Sequence, residues 1–182
     1  MDLSRPPAIL LRILNGIEAG IVGGLAMLVL LVVAALLRQH VWWETPNLLG
    51  STFYGVRAFR VGPGRITIAG GAFHLVITGV VGALFGVACG NTYPRRRLVL
   101  LGTLAGIVWY YLADAVFWKR INPLVPLYAP QPATLLSHAL FGACLGYMGR
   151  GARLPAEPQV PAPADPVNAG LPEGGAGRDA VE

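Results

Sequence analysis

Charged side chains are scarce in this chain of 182 residues, since 13% of them are Asp, Glu, Lys or Arg and 54% are hydrophobic. A soluble globular domain carries about 25% charged residues, because a surface that faces water needs ionic side chains to cover it. The shortage is sharpest for acidic residues: residues 1–150 contain four, against twelve basic ones. This composition excludes an ordinary soluble enzyme and a disordered chain, and it predicts an integral membrane protein.

The chain also lacks the usual sequence signatures of chemistry. Its two cysteines, Cys89 and Cys144, lie inside apolar segments and therefore indicate neither a disulfide framework nor a zinc site. No HExxH, CxxC, phosphate-binding loop or nucleophile–base motif occurs in the sequence, which favours a protein that is not an enzyme and uses no cofactor. The thirteen Arg residues flank apolar runs instead of covering one face, so they indicate membrane-end anchors and no nucleic-acid partner.

Four apolar stretches match or approach the roughly 20 residues that a helix needs to cross a lipid bilayer. They cover about residues 17–37, 66–89, 98–118 and 132–148. The first stretch follows basic residues as a signal peptide would, but its 21 apolar residues are too many for the apolar region of a signal peptide, which favours a retained helix. The sequence therefore predicts an all-α integral membrane fold with four transmembrane helices.

The segments between these stretches predict an orientation. Arg95, Arg96 and Arg97 crowd a short turn, and the positive-inside rule then places both termini in the cytoplasm, with the chain in a bacterial inner (plasma) membrane. The opposite loop, residues 38–65, is rich in aromatic residues that suit the headgroup region, and a short helix is expected from Pro46. Residues 151–182 are rich in Pro and Ala and are predicted to be a disordered cytoplasmic tail.

Two tetrapeptides recur in the same order along the chain. Ala-Gly-Ile-Val stands at 19–22 and again at 105–108, and Ala-Leu-Phe-Gly stands at 83–86 and again at 139–142. Each unit contains two spans, so the two copies, about residues 15–90 and 101–150, would share one orientation. This pattern predicts two tandem hairpins related as a parallel repeat. Such repeats occur in transporters, although a duplicated hairpin can also simply complete a stable bundle.

Every predicted span carries glycines four residues apart, a spacing that puts them on one helical face. Without side chains at these positions, helix backbones can approach closely in lipid. The glycines predict close helix packing, either within one chain or against a second copy or other membrane subunits. They are Gly16, Gly20, Gly24, Gly82, Gly86, Gly90, Gly102, Gly106, Gly142 and Gly146.

Four ionisable residues fall inside the predicted spans, where they are costly and often functional: His74, Asp114, His138 and Glu18. The first three are predicted to form a polar ladder in the outer half, suited to a proton or ion path if it faces water. The alternative is one buried Asp–His hydrogen bond and a histidine that faces the interface. Glu18 is expected to pair with an inner arginine, one of Arg95–Arg97 or Arg150.

Counting residues from the inner basic ends separates the two histidines by about 13–14 Å in depth. That separation disfavours a shared metal or a haem held by both imidazoles.

The two-hairpin plan resembles the YagU-like and related bacterial inner-membrane proteins. The resemblance rests on Ala19-Gly20 and Ala105-Gly106 at the start of the odd helices. In the even helices it rests on His74 with Phe85-Gly86, and on Ser137-His138 with Phe141-Gly142. It implies a four-helix fold and a location in the inner membrane, and it implies no catalytic residue.

Two functions are consistent with these observations. One is a non-catalytic structural or accessory subunit, which contacts the lipid bilayer and partner helices through its glycine faces. The other is a small transporter or channel that uses the His74/Asp114/His138 ladder.

Overall fold

The computed structural model describes residues 8–89 and 93–148, and every regular element within them is helical. The α-helices are α1 (Ala8–Leu37), α2 (Glu44–Tyr54), α3 (Arg65–Cys89), α4 (Arg95–Leu112), α5 (Trp118–Ile121), α6 (Leu124–Tyr128) and α7 (Gln131–Met148). A 3₁₀ helix follows α2 at Gly55–Arg60, and a π-helical stretch, Ala113–Phe117, joins α4 to α5. Gly90, Arg150 and the predicted tail, residues 151–182, lie outside the described residues.

Three helices are long and apolar enough to cross a membrane. They are α1, α3 and the continuous run Arg95–Ile121, which α4, the π stretch and α5 form together. Helix α1 begins nine residues before the apolar segment predicted for it, and its 30 residues measure about 45 Å. Helix α7 has 18 residues, or about 27 Å, and its first half includes Gln131, Thr134 and Ser137, so it is shorter and more polar than the other three.

The four long helices stand in a row in the order α3, α1, α7, α4. Helix α1 packs against α3 and against α7, and α4 packs along α7. Within the described residues, α3 and α4 at the two ends of the row share no packed seam. Because α1 and α4 flank α7, the polar Ser137 and His138 of that helix are buried by protein and need not face lipid.

Glycines form the seams between the paired helices. In the α1/α3 seam, a Cβ added at Gly16 would collide with the carbonyl oxygen of Gly82. In the α4/α7 seam, a Cβ added at Gly102 would collide with the carbonyl oxygen of Gly142. A residue without a side chain is required at such contacts. The described members of the predicted glycine set therefore pack against helices of their own chain.

The short helices α2 and α6 cover one end of the bundle, here called the loop side. Helix α2 starts two residues before Pro46, the expected start, and lies against α3, where Gly70 leaves room for the carbonyl oxygen of Pro46. Leu48 and Leu49 of α2 form a small core with Val125 of α6. The loop helix is thus packed into the bundle on one face as well as presenting aromatic residues on the other.

Candidate functional site

A chamber lies on the loop side of the bundle, bounded by the long helices and by α2 and α6. Its volume is about 70 Å³, enough for a few water molecules, since a cavity needs about 10–15 Å³ of such space to hold one. The walls are mostly apolar and aromatic, and the polar side chains on them are three threonines, two histidines and two tryptophans, whose indoles each carry one N–H donor. The lining comprises Met27, Leu31, Thr45, Leu48, Leu49, His74, Ile77, Thr78, Trp109, Ala113, Phe117, Trp118, Val125, Ala129, Pro130, Thr134, His138 and Phe141.

His74 reaches the chamber from α3 and is tied to α1. Its Nε2 lies 3.1 Å from the carbonyl oxygen of Gly24, which can only accept a hydrogen bond. Nε2 therefore carries the proton and donates it, and in the neutral ring Nδ1 is left with a free lone pair. Thr78, one turn further along α3, donates its hydroxyl to the carbonyl oxygen of His74 at 3.0 Å.

His138 reaches the same chamber from α7. Its Nδ1 donates to the carbonyl oxygen of Thr134, one turn earlier in the helix, at 2.8 Å. The ring of Tyr110 packs edge-on against the imidazole, with 5.4 Å between the ring centroids. In the neutral ring Nε2 therefore holds the free lone pair, so the two histidines use opposite ring nitrogens for their backbone hydrogen bonds.

The two imidazoles line one chamber, and their positions along the bundle differ by about one helical turn. His74 is bonded to Gly24, while the adjacent Gly23 packs against Phe141, one turn along α7 from His138. The expected separation of 13–14 Å in depth is therefore wrong. Helices α3 and α7 have 25 and 18 residues and cross their neighbours in different registers, so residue counts from the basic ends do not give comparable depths.

The second ring nitrogen of each histidine has no hydrogen-bond partner among the described residues. His74 and His138 expose 7% and 6% of their surface, yet no sealed, unpaired side-chain nitrogen or oxygen occurs in the described part of the chain. Neither free nitrogen is therefore fully sealed, and both residues border internal space: His74 lines the chamber, and His138 lines the chamber and a smaller pocket beside it.

Asp114 lines that smaller pocket together with Tyr110, Gln131 and His138. The pocket measures about 20 Å³, room for about one water molecule. The carboxylate is half-buried and accepts no hydrogen bond within residues 8–89 and 93–148, and His138 donates to Thr134 instead. The expected buried Asp–His hydrogen bond is therefore absent. Asp114 does lie in the π-helical stretch, a distortion that often marks functional sites.

Glu18 lies apart from these groups. It is exposed on α1 and borders neither the chamber nor the pocket of Asp114. The expected ion pair with Arg95, Arg96 or Arg97 does not form in the described part of the chain, and Arg150 falls outside it. Cys89 and Cys144 are free thiols, and Cys144 packs in the α1/α7 seam, where its Cβ lies 3.2 Å from a Cβ built on Gly23.

The chamber also uses residues that the sequence analysis did not single out. Thr134 stands four residues before His138, a spacing that places its carbonyl within reach of the imidazole on one helix. Trp109 directly follows the second Ala-Gly-Ile-Val segment, where Gly23 follows the first. Both signals are visible in the sequence, but nothing in it shows that these residues border one cavity.

Comparison with known proteins identifies no relative of this chain. No family model, no curated protein and no solved structure matches the chain. The resemblance to YagU-like proteins stays a prediction. The described residues contain no group of three or more His, Cys, Asp and Glu side chains placed to hold a metal ion, so the function is argued from the chamber itself.

Proposed function

We propose that this chain is a non-catalytic integral membrane protein whose four-span bundle binds a small molecule in the chamber. The observation that carries the proposal is the pair of buried imidazoles, His74 and His138, which line one internal space and each keep a ring nitrogen without a partner among the described residues. Hydrocarbon supplies no hydrogen-bond partner. An occupant of the chamber that donates a hydrogen bond can supply one.

The chemistry of the lining supports binding over catalysis. Among its described lining residues the chamber offers imidazole and hydroxyl groups on apolar walls, and no carboxylate, thiol or amine. Covalent catalysis needs a nucleophile within hydrogen-bond reach of an activating base. The hydroxyls of Thr78 and Thr134 are engaged, because they donate to carbonyl oxygens of their own helices, and the third threonine, Thr45, has no hydrogen bond to an activating base among the described residues.

The four spans are proposed to be α1, α3, the run Arg95–Ile121 and α7, arranged as two tandem hairpins. The register of the two seams supports this repeat. In the first, Gly86 abuts the carbonyl oxygen of Arg12. In the second, Gly146 abuts that of Leu98. Arg12 and Leu98 stand 86 residues apart, as do the two Ala-Gly-Ile-Val segments.

The second tetrapeptide does not follow this register. Gly86 and Gly146 stand 60 residues apart, but the Ala-Leu-Phe-Gly segments stand 56 apart. The difference is about one helical turn. In the proposed repeat, α7 is therefore shifted by a turn relative to α3, and equal sequence tags do not occupy equal depths.

The packing of the glycine faces restricts the accessory-subunit role. It assumed that the glycine faces contact partner helices, whereas the described ones are buried against the same chain, so a partner subunit or a second copy would have to dock elsewhere. The transporter alternative has one favourable observation, because His138 borders both the chamber and the pocket of Asp114. A proton path along these groups would connect them.

The test is to purify the protein in lipid nanodiscs and to identify retained small molecules by mass spectrometry. We expect a compound that the native chain retains and the double variant His74→Ala/His138→Ala loses. His40→Ala is the matched control, because His40 is an exposed imidazole paired with Glu44 in the loop. The variant His74→Gln/His138→Gln, with side chains closer in size, guards against simple misfolding.

Retention of the same compounds by the native protein and by folded double variants would contradict the proposal. For the transport alternative, the same proteins are placed in liposomes loaded with a pH-sensitive dye. Unchanged proton flux in His138→Ala would exclude it.

A further inference from the structure

Each long helix packs against the next in the order α3, α1, α7, α4, but in the described part of the chain the two end helices, α3 and α4, do not pack against each other. Helices α1 and α7 meet at Gly23, where a built Cβ would lie 3.0 Å from the ring of Phe141. Helices α3 and α4 share no packed seam in the described residues, although both line the chamber through Ile77 and Trp109. The chamber wall between α3 and α4 therefore consists of side chains only, on the side of the bundle away from α1 and α7.

The sequence contains a physical reason for this gap. The first Ala-Gly-Ile-Val segment is followed by Gly23, and the identical segment at 105–108 is followed by Trp109. A glycine lets two helix backbones touch, whereas an indole ring fills the space that a second backbone would occupy. Trp109 lines the chamber and packs against Phe117, with 6.0 Å between ring centroids, so its indole occupies part of the space on the chamber side of α4.

The two ends of this gap differ. On the loop side, Phe73 of α3 and Trp118 of α5 lie edge to face, with 6.2 Å between ring centroids, and they close the gap toward water. Along the rest of the two helices, apolar side chains are exposed at the bundle surface; they include Val76 and Val80 of α3 and Val108 of α4. The outer surface of both helices is therefore apolar.

The side chains that line the chamber restrict the class of molecule that can bind there. Two imidazole lone pairs accept hydrogen bonds, so the occupant must donate one from an O–H or N–H group. Burial on apolar walls disfavours a charged molecule, and the rings of Trp109, Phe117, Trp118 and Phe141 offer faces and edges to another aromatic ring. The volume of about 70 Å³ is about half that of a cavity that binds benzene, at about 150 Å³, so the chamber encloses the hydroxyl end of the occupant and the rest of the molecule extends toward the gap.

We propose that the chamber is a lateral binding site for a lipid-soluble aromatic alcohol. Its hydroxyl donates to a free ring nitrogen of His74 or His138, its ring packs among the aromatic side chains, and its apolar tail leaves between α3 and α4. This inference rests on the proposed binding function and adds the class of ligand and its route of entry from the membrane.

The experiment compares 4-hexylphenol with 4-hexylanisole, which has the same ring and tail but a methyl ether in place of the donor. Binding to the full chain in nanodiscs is followed by tryptophan fluorescence and by the ¹⁵N resonances of labelled histidines. We expect saturable binding of the phenol, about tenfold tighter than the ether, with a shift of a histidine ring nitrogen. His74→Gln/His138→Gln should lower this preference and His40→Ala should not.

A third compound tests the route. 4-Hydroxybenzenesulfonate carries the same phenol but stays in water, so it should not bind. Saturable binding of the sulfonate would overturn lateral entry, and equal affinity for the phenol and the ether would overturn the ligand class. If the ether binds as well as the phenol while a retained compound is still lost in the alanine double variant, this inference fails and the proposed function stands. If no compound is lost either, both fail.

Discussion

At the scale of single residues, two buried asparagines hold the loop side together. The Asn47 amide donates to the carbonyl oxygens of Ala58 at 3.1 Å and Val61 at 3.2 Å, and its oxygen accepts from the hydroxyl of Thr67 at 2.6 Å. Asn122 donates to the hydroxyl oxygen of Ser51 at 2.8 Å. One side chain thus satisfies backbone groups of a loop that has few regular hydrogen bonds of its own.

We expect Asn47→Ala to lower the free energy of unfolding by about 1–3 kcal/mol, because it leaves buried carbonyl oxygens without donors. Thermal unfolding in detergent measures the global effect. Trypsin measures the local one, since Arg57 and Arg60 flank the carbonyl of Ala58 and should be cleaved faster. Thr67→Val is the control: it removes one of the three hydrogen bonds of Asn47 and the bond from the exposed Gly64 N–H to the Thr67 hydroxyl, so a loss as large as that of Asn47→Ala would contradict this account.

The residue scale also shows the limit of local reasoning. Scarcity of charge in an apolar sequence was sufficient to single out His74, His138 and Asp114, and these three border two adjoining cavities. Their hydrogen-bond partners were not foreseeable. His74 bonds to Gly24, 50 residues away in sequence, and such a partner depends on how two helices cross.

At the scale of helices, the four-residue spacing of glycines is a local property that the sequence displays directly. Spacing of this kind defines one face of any α-helix, so close packing of these faces could be expected without a structure. Which glycine meets which carbonyl is decided by the helix crossing. Gly82 and Gly79 illustrate this: both are buried in α3, but only at the first would an added Cβ meet the backbone of α1.

We expect Gly82→Ala to destabilise the protein by about 1–3 kcal/mol, because the new methyl group would overlap the backbone of Gly16 and force the seam apart. Gly79→Ala is the matched control on the same helix. Its Cβ would lie 3.7 Å from Ile21, an ordinary van der Waals contact, and alanine favours the helix by up to about 1 kcal/mol. Equal melting temperatures for the two variants would show that the seam tolerates a methyl group.

At the scale of the whole molecule, α7 decides whether the bundle has three membrane spans or four. This helix is too polar to join the three candidate spans, but α1 and α4 shield it. A helix that is buried by its neighbours needs less hydrophobicity of its own, because its polar groups face protein. Hydropathy therefore identifies the lipid-facing helices more readily than the central one.

The proposed four-span arrangement predicts that both ends of the chain lie on the same side of the membrane. Fusion of green fluorescent protein to the C-terminus should fluoresce, and fusion of alkaline phosphatase there should be inactive, as for a cytoplasmic end. Fusions after Gly62, in the loop between α2 and α3, serve as the control and should give the opposite pattern. If α7 did not cross, the C-terminal fusions would behave like those after Gly62.

The sequence by itself indicated apolar helices long enough to span a membrane, the helical class, the loop helix near Pro46 and the glycine faces, because composition and 3.6-residue periodicity are local properties. Only the tertiary structure decided that His74 and His138 line one chamber, that Asp114 borders a separate pocket and that α3 and α4 leave a gap. These outcomes depend on the lengths, registers and order of helices distant in sequence. Those quantities arise from packing between helices, for which residue counts along one helix contain no information.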